Sequence, residues 1–344
     1  MKNWEVILSV AGEGGGIQLC GQKRDDGTWS FARYINELTF DDAGPIDAHS
    51  HVVHTWEEAL ELIESYPWTQ LSPQEVHPEF RLHIWKEAES SGSRLDQWRD
   101  ICKISDIELL TDWIASSRYM VVLTGAGMST ESGVPDFRSQ KGLWTKYDPF
   151  AVSHIDMLEK DYPAFHEFYS YRMCELKKVQ PNDGHKILSR WQKEGIVKFL
   201  ATQNVENLHQ HAGSTDVAQL HGGLETVQCH SCGSPASTDS FIERESCAAC
   251  GGNLRPNITL FGEMLPQDIW NRTFEEIAKS DLLLIIGTSL QVSPVNQLPK
   301  EAGGKVVVLN LDETPFDQDF DLVIRGKAGD VLRQAERQLT ASKK

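Results

Sequence analysis

Positive charge is what this chain lacks most for its size. Its 344 residues carry 33 Lys and Arg against 50 Asp and Glu, a formal net charge of −17. A nucleic-acid binder neutralises phosphates with a basic face, so no nucleic-acid partner is expected. The balance mildly favours basic partners, such as lysine-bearing protein segments, through steering. Long apolar runs are missing too: nothing approaches the ~18 residues that cross a bilayer, and no membrane partner is expected. The run Val6 to Ala11 is broken by Ser9, too short for a signal segment, and reads as a strand. The cytoplasm is therefore the expected compartment. Cysteine is sparse and odd in number, seven in all, so the thiols cannot all be paired. Four of them fall as Cys229-x-x-Cys232 and Cys247-x-x-Cys250, which is metal-ligand spacing and fits a reducing compartment. Cys20, Cys102 and Cys174 are left over and are expected as small buried hydrophobes.

What is present divides into two parts. Residues 1–100 read as a small α+β domain. Trp4, Val6, Leu8 and Val10 alternate as a half-buried strand does, Ile17 to Gly21 is a second strand, and Asp26-Gly27 marks a hairpin before Trp29 and Phe31. Thr55-x-x-Glu58 is a capping box that opens a helix. Phe80, Leu82 and Ile84 alternate again, and Glu87 to Arg94 reads as the linker. Six of the ten tryptophans lie here and are expected to build the core. His49, His51 and His54 have a spacing that a strand could turn toward a metal, but their neighbourhood reads as a loop. No function follows for this domain, which could bind an unknown protein.

From residue 105 onward, apolar strands alternate with helical patterns. Val121–Thr124, Val197–Thr202, Leu282–Ile286, Val306–Leu311 and Leu322–Ile324 are near-continuous apolar runs, as in a parallel sheet covered on both faces. Their C-terminal ends run into Gly125-Ala126-Gly127, Gln203-Asn204, Gly287-Thr288-Ser289 and Asn310-Leu311-Asp312. Ligands of open α/β sheets gather at this edge, and a glycine loop followed by a helix N-terminus suits a phosphate. The fold class expected is thus α/β, a Rossmann-like parallel sheet with a small metal-binding lobe at about residues 226–256, plus the N-terminal α+β domain.

Several motifs follow one another in a set order: Gly125-Ala126-Gly127-Met128-Ser129, Gly133-Val134-Pro135-Asp136-Phe137-Arg138, Thr202-Gln203-Asn204-Val205-Glu206, Leu220-His221-Gly222, the two Cys-x-x-Cys pairs, Phe261-Gly262-Glu263 and Gly287-Thr288-Ser289. In that order residues 105–340 resemble the sirtuins, NAD-dependent protein-lysine deacylases that move an acyl group from lysine to ADP-ribose and release nicotinamide. The resemblance implies NAD as cosubstrate, an acyl-lysine protein or peptide as partner, and one structural Zn²⁺ on Cys229, Cys232, Cys247 and Cys250. It gives His221 the deprotonation of a ribose hydroxyl, with Asn204 and Gln203 positioning the ribose and a water. Phe137 would shield the reacting face and Arg138 steady the cofactor loop. Gly125, Ala126, Gly127, Ser129, Asp136, Val205, Glu206, Gly287, Thr288, Ser289, Asn310, Leu311, Asp312 and Ala328 complete the cofactor site so implied.

Sirtuins usually carry Asp where this chain has Glu206, in the pocket that grips the nicotinamide carboxamide. Glu keeps the acceptor and adds a methylene, so retained catalysis with altered nicotinamide affinity is expected. Tyr169 and Arg172 lie three apart on one helical face and resemble the Tyr-x-x-Arg of desuccinylase and demalonylase sirtuins. Arginine can meet a dicarboxylic acyl tail with a charge-assisted pair. The peptide backbone is expected along Leu260, Phe261, Gly262 and Glu263 as an added strand. The alternative activity is that of a NAD glycohydrolase or ADP-ribosyltransferase on the same fold. A binding module that senses NAD without turnover is disfavoured by the intact His221, Asn204 and Phe137.

Overall fold

The computed structural model describes residues 4–12, 15–37, 52–61, 71–92, 95–139 and 142–341. The chain divides into two compact units, Met1–Ser105 and Asp106–Lys344.

The first unit holds four antiparallel strands, β1 (Glu5–Gly12), β2 (Gly15–Lys23), β3 (Trp29–Glu37) and β4 (Ser72–Val76), in the order β3-β2-β1-β4. A register shift between Val6 and Leu8 breaks the alternation of β1, and Ile7 and Leu8 are both buried. The capping box is formed: Thr55 Oγ1 accepts the Glu58 N–H at 3.2 Å, and the Glu58 carboxylate accepts those of Thr55 and His54. Phe80-x-Leu82-x-Ile84 is not a strand. It opens the helix Arg81–Ser90, whose buried residues Ile84, Trp85 and Ala88 keep helical spacing. The first half of the stretch read as a linker, residues 87–90, is the end of this helix. Trp85 and Trp98 are in the core, while Trp29 and Trp56 ring Phe80 at 5.1 and 5.3 Å. Cys20 and Cys102 are buried as expected. Of the three spaced histidines only His54 is among the described residues, and its Nδ1 lies 3.1 Å from Ser30 Oγ.

The second unit is built on a six-stranded parallel sheet: β5 (Met120–Thr124), β6 (Val197–Thr202), β7 (Val217–Gln219), β11 (Leu282–Ile286), β12 (Lys305–Asn310) and β13 (Leu322–Arg325), ordered β13-β12-β11-β5-β6-β7. β5 and β11 are buried along their whole length, which is why they read as unbroken apolar runs. The order reverses between β5 and β11, so the crevice of the sheet opens where their loops diverge. Between β7 and β11 the chain leaves for a smaller antiparallel sheet, β8 (Gly222–Cys229), β9 (Pro235–Ala236) and β10 (Leu254–Ile258), ordered β10-β8-β9.

This smaller lobe extends beyond residues 226–256. Val152, Leu158, Phe165, Phe168, Tyr169 and Met173 share one buried cluster with Leu224, Val227, Cys229, Phe241, Cys247 and Leu254. The helix Tyr162–Leu176 is tied to it by Tyr162 Oη donating to the Leu254 carbonyl at 2.8 Å and by His166 Nε2 donating to that of Phe241. Cys174, on the outer face of that helix, is exposed rather than buried. No helix among the described residues is long and apolar enough to cross a membrane.

Candidate active site

A cleft of about 1030 Å³ runs along the C-terminal ends of the parallel strands and reaches the smaller lobe. It brings together most of the residues singled out in the sequence. Ala126, Gly127, Asp136, Phe137, Arg138, Gln203, Asn204, Val205, His221, Gly287, Thr288, Ser289, Asn310, Leu311, Asp312 and Ala328 line it, with Tyr169, Arg172, Leu260, Phe261, Gly262 and Glu263. Gly125, Ser129 and Glu206, each buried and next in the chain to a lining residue, do not.

The glycine loop differs from the expectation in two respects. It leads into a short 3-10 helix, Ala126–Ser132, and not into an α-helix. Its glycines serve loop against loop: a Cβ on Gly125 would meet Thr288 Cβ at 2.7 Å, and one on Gly127 would meet Gly287 Cα at 2.7 Å. The Gly127 N–H donates to the Gly287 carbonyl at 2.8 Å, closing the two loops on each other across the switch point.

His221 is oriented by the main chain. Its Nδ1 lies 3.0 Å from the Gln203 carbonyl oxygen, an atom that can only accept. The proton therefore sits on Nδ1 and leaves Nε2 bare, the form a general base needs. Burial pulls its pKa below the ordinary 6.5, against the opposing pull of that hydrogen bond. A base that must be neutral loses activity only as pH falls through its own pKa. The acid limb of kcat/KM is thus expected below pH 6.5, and a pH–rate profile with that limb at or above 6.5 would contradict this.

Gln203 and Asn204 are held by their amides. Gln203 Nε2 donates to Thr288 Oγ1 at 3.0 Å, while Asn204 Nδ2 donates to the Gly125 carbonyl at 3.0 Å and to Ser129 Oγ at 3.2 Å. Asp136 supports its own loop, since its Oδ1 accepts the N–H groups of Arg138 and Ser139. Glu206 is buried, with Ser129 Oγ donating to one carboxylate oxygen and the Val205 N–H to the other at 3.1 Å. Burial raises its pKa, while Ser129 and the positive charge of Arg172 pull it down.

At the lobe side, the Arg172 guanidinium lies over the rings of Phe137 at 5.3 Å and Phe168 at 5.7 Å. Tyr169 Oη donates to Ser153 Oγ at 3.0 Å. Ser153 lines the cleft and carried no signal in the sequence. Nor did Trp270, Gln291 or Lys327, which the fold also brings to the wall.

The Glu263 side chain braces its own loop. Its carboxylate accepts Arg255 Nη1 at 2.6 Å and Nη2 at 2.8 Å, and the Leu260 N–H at 2.8 Å. These bonds hold the loop in shape, and Glu263 lines the cleft within it. Phe261 already spends its N–H on the Ser153 carbonyl and its carbonyl on the Ile155 N–H, a bridge that joins this loop to the segment before the helix Tyr162–Leu176.

The four paired cysteines converge. Their Sγ atoms lie within 4.8 Å of one another, with Cys229–Cys250 at 3.4 Å and Cys232–Cys247 at 3.7 Å. Zn–S bonds of about 2.3 Å at tetrahedral angles place sulfurs about 3.8 Å apart, so the donor set fits Zn²⁺. Each pair sits on the same turn: the N–H of Gly233 or Gly251 bonds back to the carbonyl of Cys229 or Cys247, and both glycines take φ near +75°. Four sulfur ligands leave no open position, which makes the site structural.

The fold and cleft define a class first: an α/β protein that holds a dinucleotide at the switch point of its sheet, with a four-cysteine lobe closing one side. The Sir2 family profile matches residues 125–294. The NAD-dependent protein deacetylase of Oceanobacillus iheyensis is 46% identical over 230 residues, 65% of this chain and 98% of that protein. NAD-dependent protein deacylase 1 of Archaeoglobus fulgidus is 40% identical, over 67% of this chain and 96% of its own length. Among solved structures, a Sir2 homologue in complex with NAD is 39% identical with a TM-score of 0.65, covering 69% of this chain and 95% of that one. A Sir2 with a deacetylated p53 peptide and 3'-O-acetyl ADP ribose has a TM-score of 0.65 at 33% identity, covering 67% of this chain and 98% of that one. The chain belongs to the Sir2 family, the sirtuins.

Proposed function

We propose that this protein is an NAD-dependent protein-lysine deacylase with a preference for acidic acyl groups. The observation that carries the reading is His221, locked with its Nε2 bare, in a cleft that Arg172 also lines. The relatives named as NAD-dependent deacetylases and deacylases support the reaction type. NAD, when bound, supplies a cleavable bond between nicotinamide and ribose. His221 Nε2 accepts the proton of a ribose hydroxyl, the Gln203 and Asn204 amides hold the sugar, and Phe137 covers the reacting face and keeps water off it. The cofactor roles of the remaining cleft residues belong to the same proposal.

The acyl preference rests on Arg172, one helical turn beyond Tyr169. Arg172 keeps its charge despite burial, and stacking on Phe137 and Phe168 pre-sets its fork for a carboxylate. The charged tail of a succinyl- or malonyl-lysine gains a charge-assisted hydrogen bond there that an acetyl group cannot. Incubating acetyl-, succinyl- and malonyl-lysine peptides with NAD and following products by mass spectrometry tests both levels. Acyl-ADP-ribose without preference removes the specificity; nicotinamide release independent of any peptide removes the deacylase. Arg172→Met keeps the length of the side chain and its packing on the rings. It is expected to cut kcat/KM on the acidic acyl peptides by about 10- to 100-fold, the ~1.5–3 kcal/mol of a charged hydrogen bond, and to leave acetyl removal within a few-fold.

A further inference from the structure

We infer that His185 is a positioning residue that acts through the Ser129 hydroxyl to hold the Glu206 carboxylate in its place. The inference rests on the deacylase reading, in which Glu206 answers the nicotinamide carboxamide.

The argument is an accounting of protons. Ser129 Oγ is fully buried and touches three groups: the Glu206 carboxylate, Asn204 Nδ2 at 3.2 Å and His185 Nε2 at 3.4 Å. A hydroxyl has one proton to donate and two lone pairs. The Ser129 hydroxyl, the Val205 N–H and the charge of Arg172 favour the ionised carboxylate against its burial. In that form it only accepts, and an amide NH₂ only donates, so Ser129 gives its proton to Glu206 and receives one from Asn204. The contact with His185 is satisfied only if Nε2 carries a hydrogen. Were Nε2 bare, it would compete with Glu206 for the single Ser129 proton.

A second imidazole supports the same tautomer. His209 Nε2 lies 2.9 Å from Thr124 Oγ1, which donates to Thr202 Oγ1 at 2.8 Å; that oxygen in turn accepts the Asn204 N–H at 3.0 Å. The Thr124 proton is thus committed, and His209 Nε2 donates as well. The two rings stand edge to face at 4.8 Å, and both Nδ1 atoms are buried without a partner among the described residues. A bare nitrogen is tolerated in such a place better than an orphaned N–H. Burial holds His185 neutral, its pKa down to about 4. The pair therefore forms a neutral donor wall behind the loop of Ser129. His185 aims the one hydroxyl proton that reaches Glu206.

Two readouts test this on the full chain. The first is exchange of labelled nicotinamide into NAD with an acyl-lysine peptide, read beside ADP-ribose affinity, which reports the intact cleft without the nicotinamide contact. His185→Leu should raise the KM for nicotinamide about tenfold and leave ADP-ribose affinity within twofold. His185→Gln, whose amide nitrogen falls near Nε2, should recover most of the loss, and His185→Asn, whose amide falls near Nδ1, should not. In a Ser129→Ala background none of these changes should matter further. Equal KM values in His185→Leu and wild type, a full effect that persists without Ser129, or a parallel fall in ADP-ribose affinity would each overturn the inference. If His185→Leu does not fold, the Gln and Asn pair decides it. The second readout is the imidazole ¹⁵N spectrum, where the His185 proton should be on Nε2. A proton on Nδ1 overturns the inference whatever the activity, whereas absence of any exchange in the wild type overturns the deacylase reading and leaves the spectrum to judge this one.

Discussion

His221→Ala is expected to slow acyl-lysine turnover about 10²- to 10⁴-fold, the usual contribution of a positioned general base. The Gln203 carbonyl accepts a hydrogen bond from Nδ1–H, so Nε2 is the bare nitrogen, and alanine leaves no group able to replace it. Because the proton is taken from the sugar, the loss should fall on release of the acyl product more than on exchange of nicotinamide. Measuring both on one peptide separates the roles. Exchange that survives while deacylation disappears fits a base acting after nicotinamide has left. If both rates fall together with ADP-ribose affinity, His221 is structural; if deacylation persists within tenfold of wild type, it is not the base.

Much of the parallel sheet was legible because burial on both faces makes strands that are apolar without interruption, as in β5 and β11. β7 escaped because three residues with one buried alanine carry no pattern. The helix Arg81–Ser90 was misread since Phe80, Leu82 and Ile84 satisfy period two as well as a helical face does, and only Trp85 and Ala88 break the tie. At the site, short local motifs were readable: the two Cys-x-x-Cys turns converge, and the Tyr169–Arg172 pair lines the cleft. Residues defined by a distant partner were not. Nothing in the sequence ties Glu263 to Arg255, or Tyr169 to Ser153, because such pairs exist only once loops from different elements meet. The two glycines of the first loop were found as a phosphate-facing loop, and their packing on the neighbouring loop calls for the same small residue.

Removing the metal from the four cysteines should dismantle the smaller lobe and with it all activity. Cys229 and Cys247 are buried in the lobe's core cluster, while Cys232 and Cys250 are exposed, so a chelator has access from one side. Structural Zn²⁺ contributes about 10–16 kcal/mol of apparent binding energy to small folds, as much as the ~5–15 kcal/mol that stabilises a whole domain. The consequence reaches beyond the sulfurs. The helix carrying Tyr169 and Arg172 is fastened to the lobe at the Leu254 and Phe241 carbonyls, so the acyl pocket should be lost together with β8 and β10. Cys232→Ser or treatment with a strong chelator, followed by amide hydrogen exchange, should show lost protection in β8, β10 and the helix Tyr162–Leu176 while β5 and β11 stay protected. If metal analysis confirms a zinc-free protein whose lobe amides and turnover are unchanged, the cysteines do not hold the lobe together, and the pocket owes its shape to the apolar cluster alone.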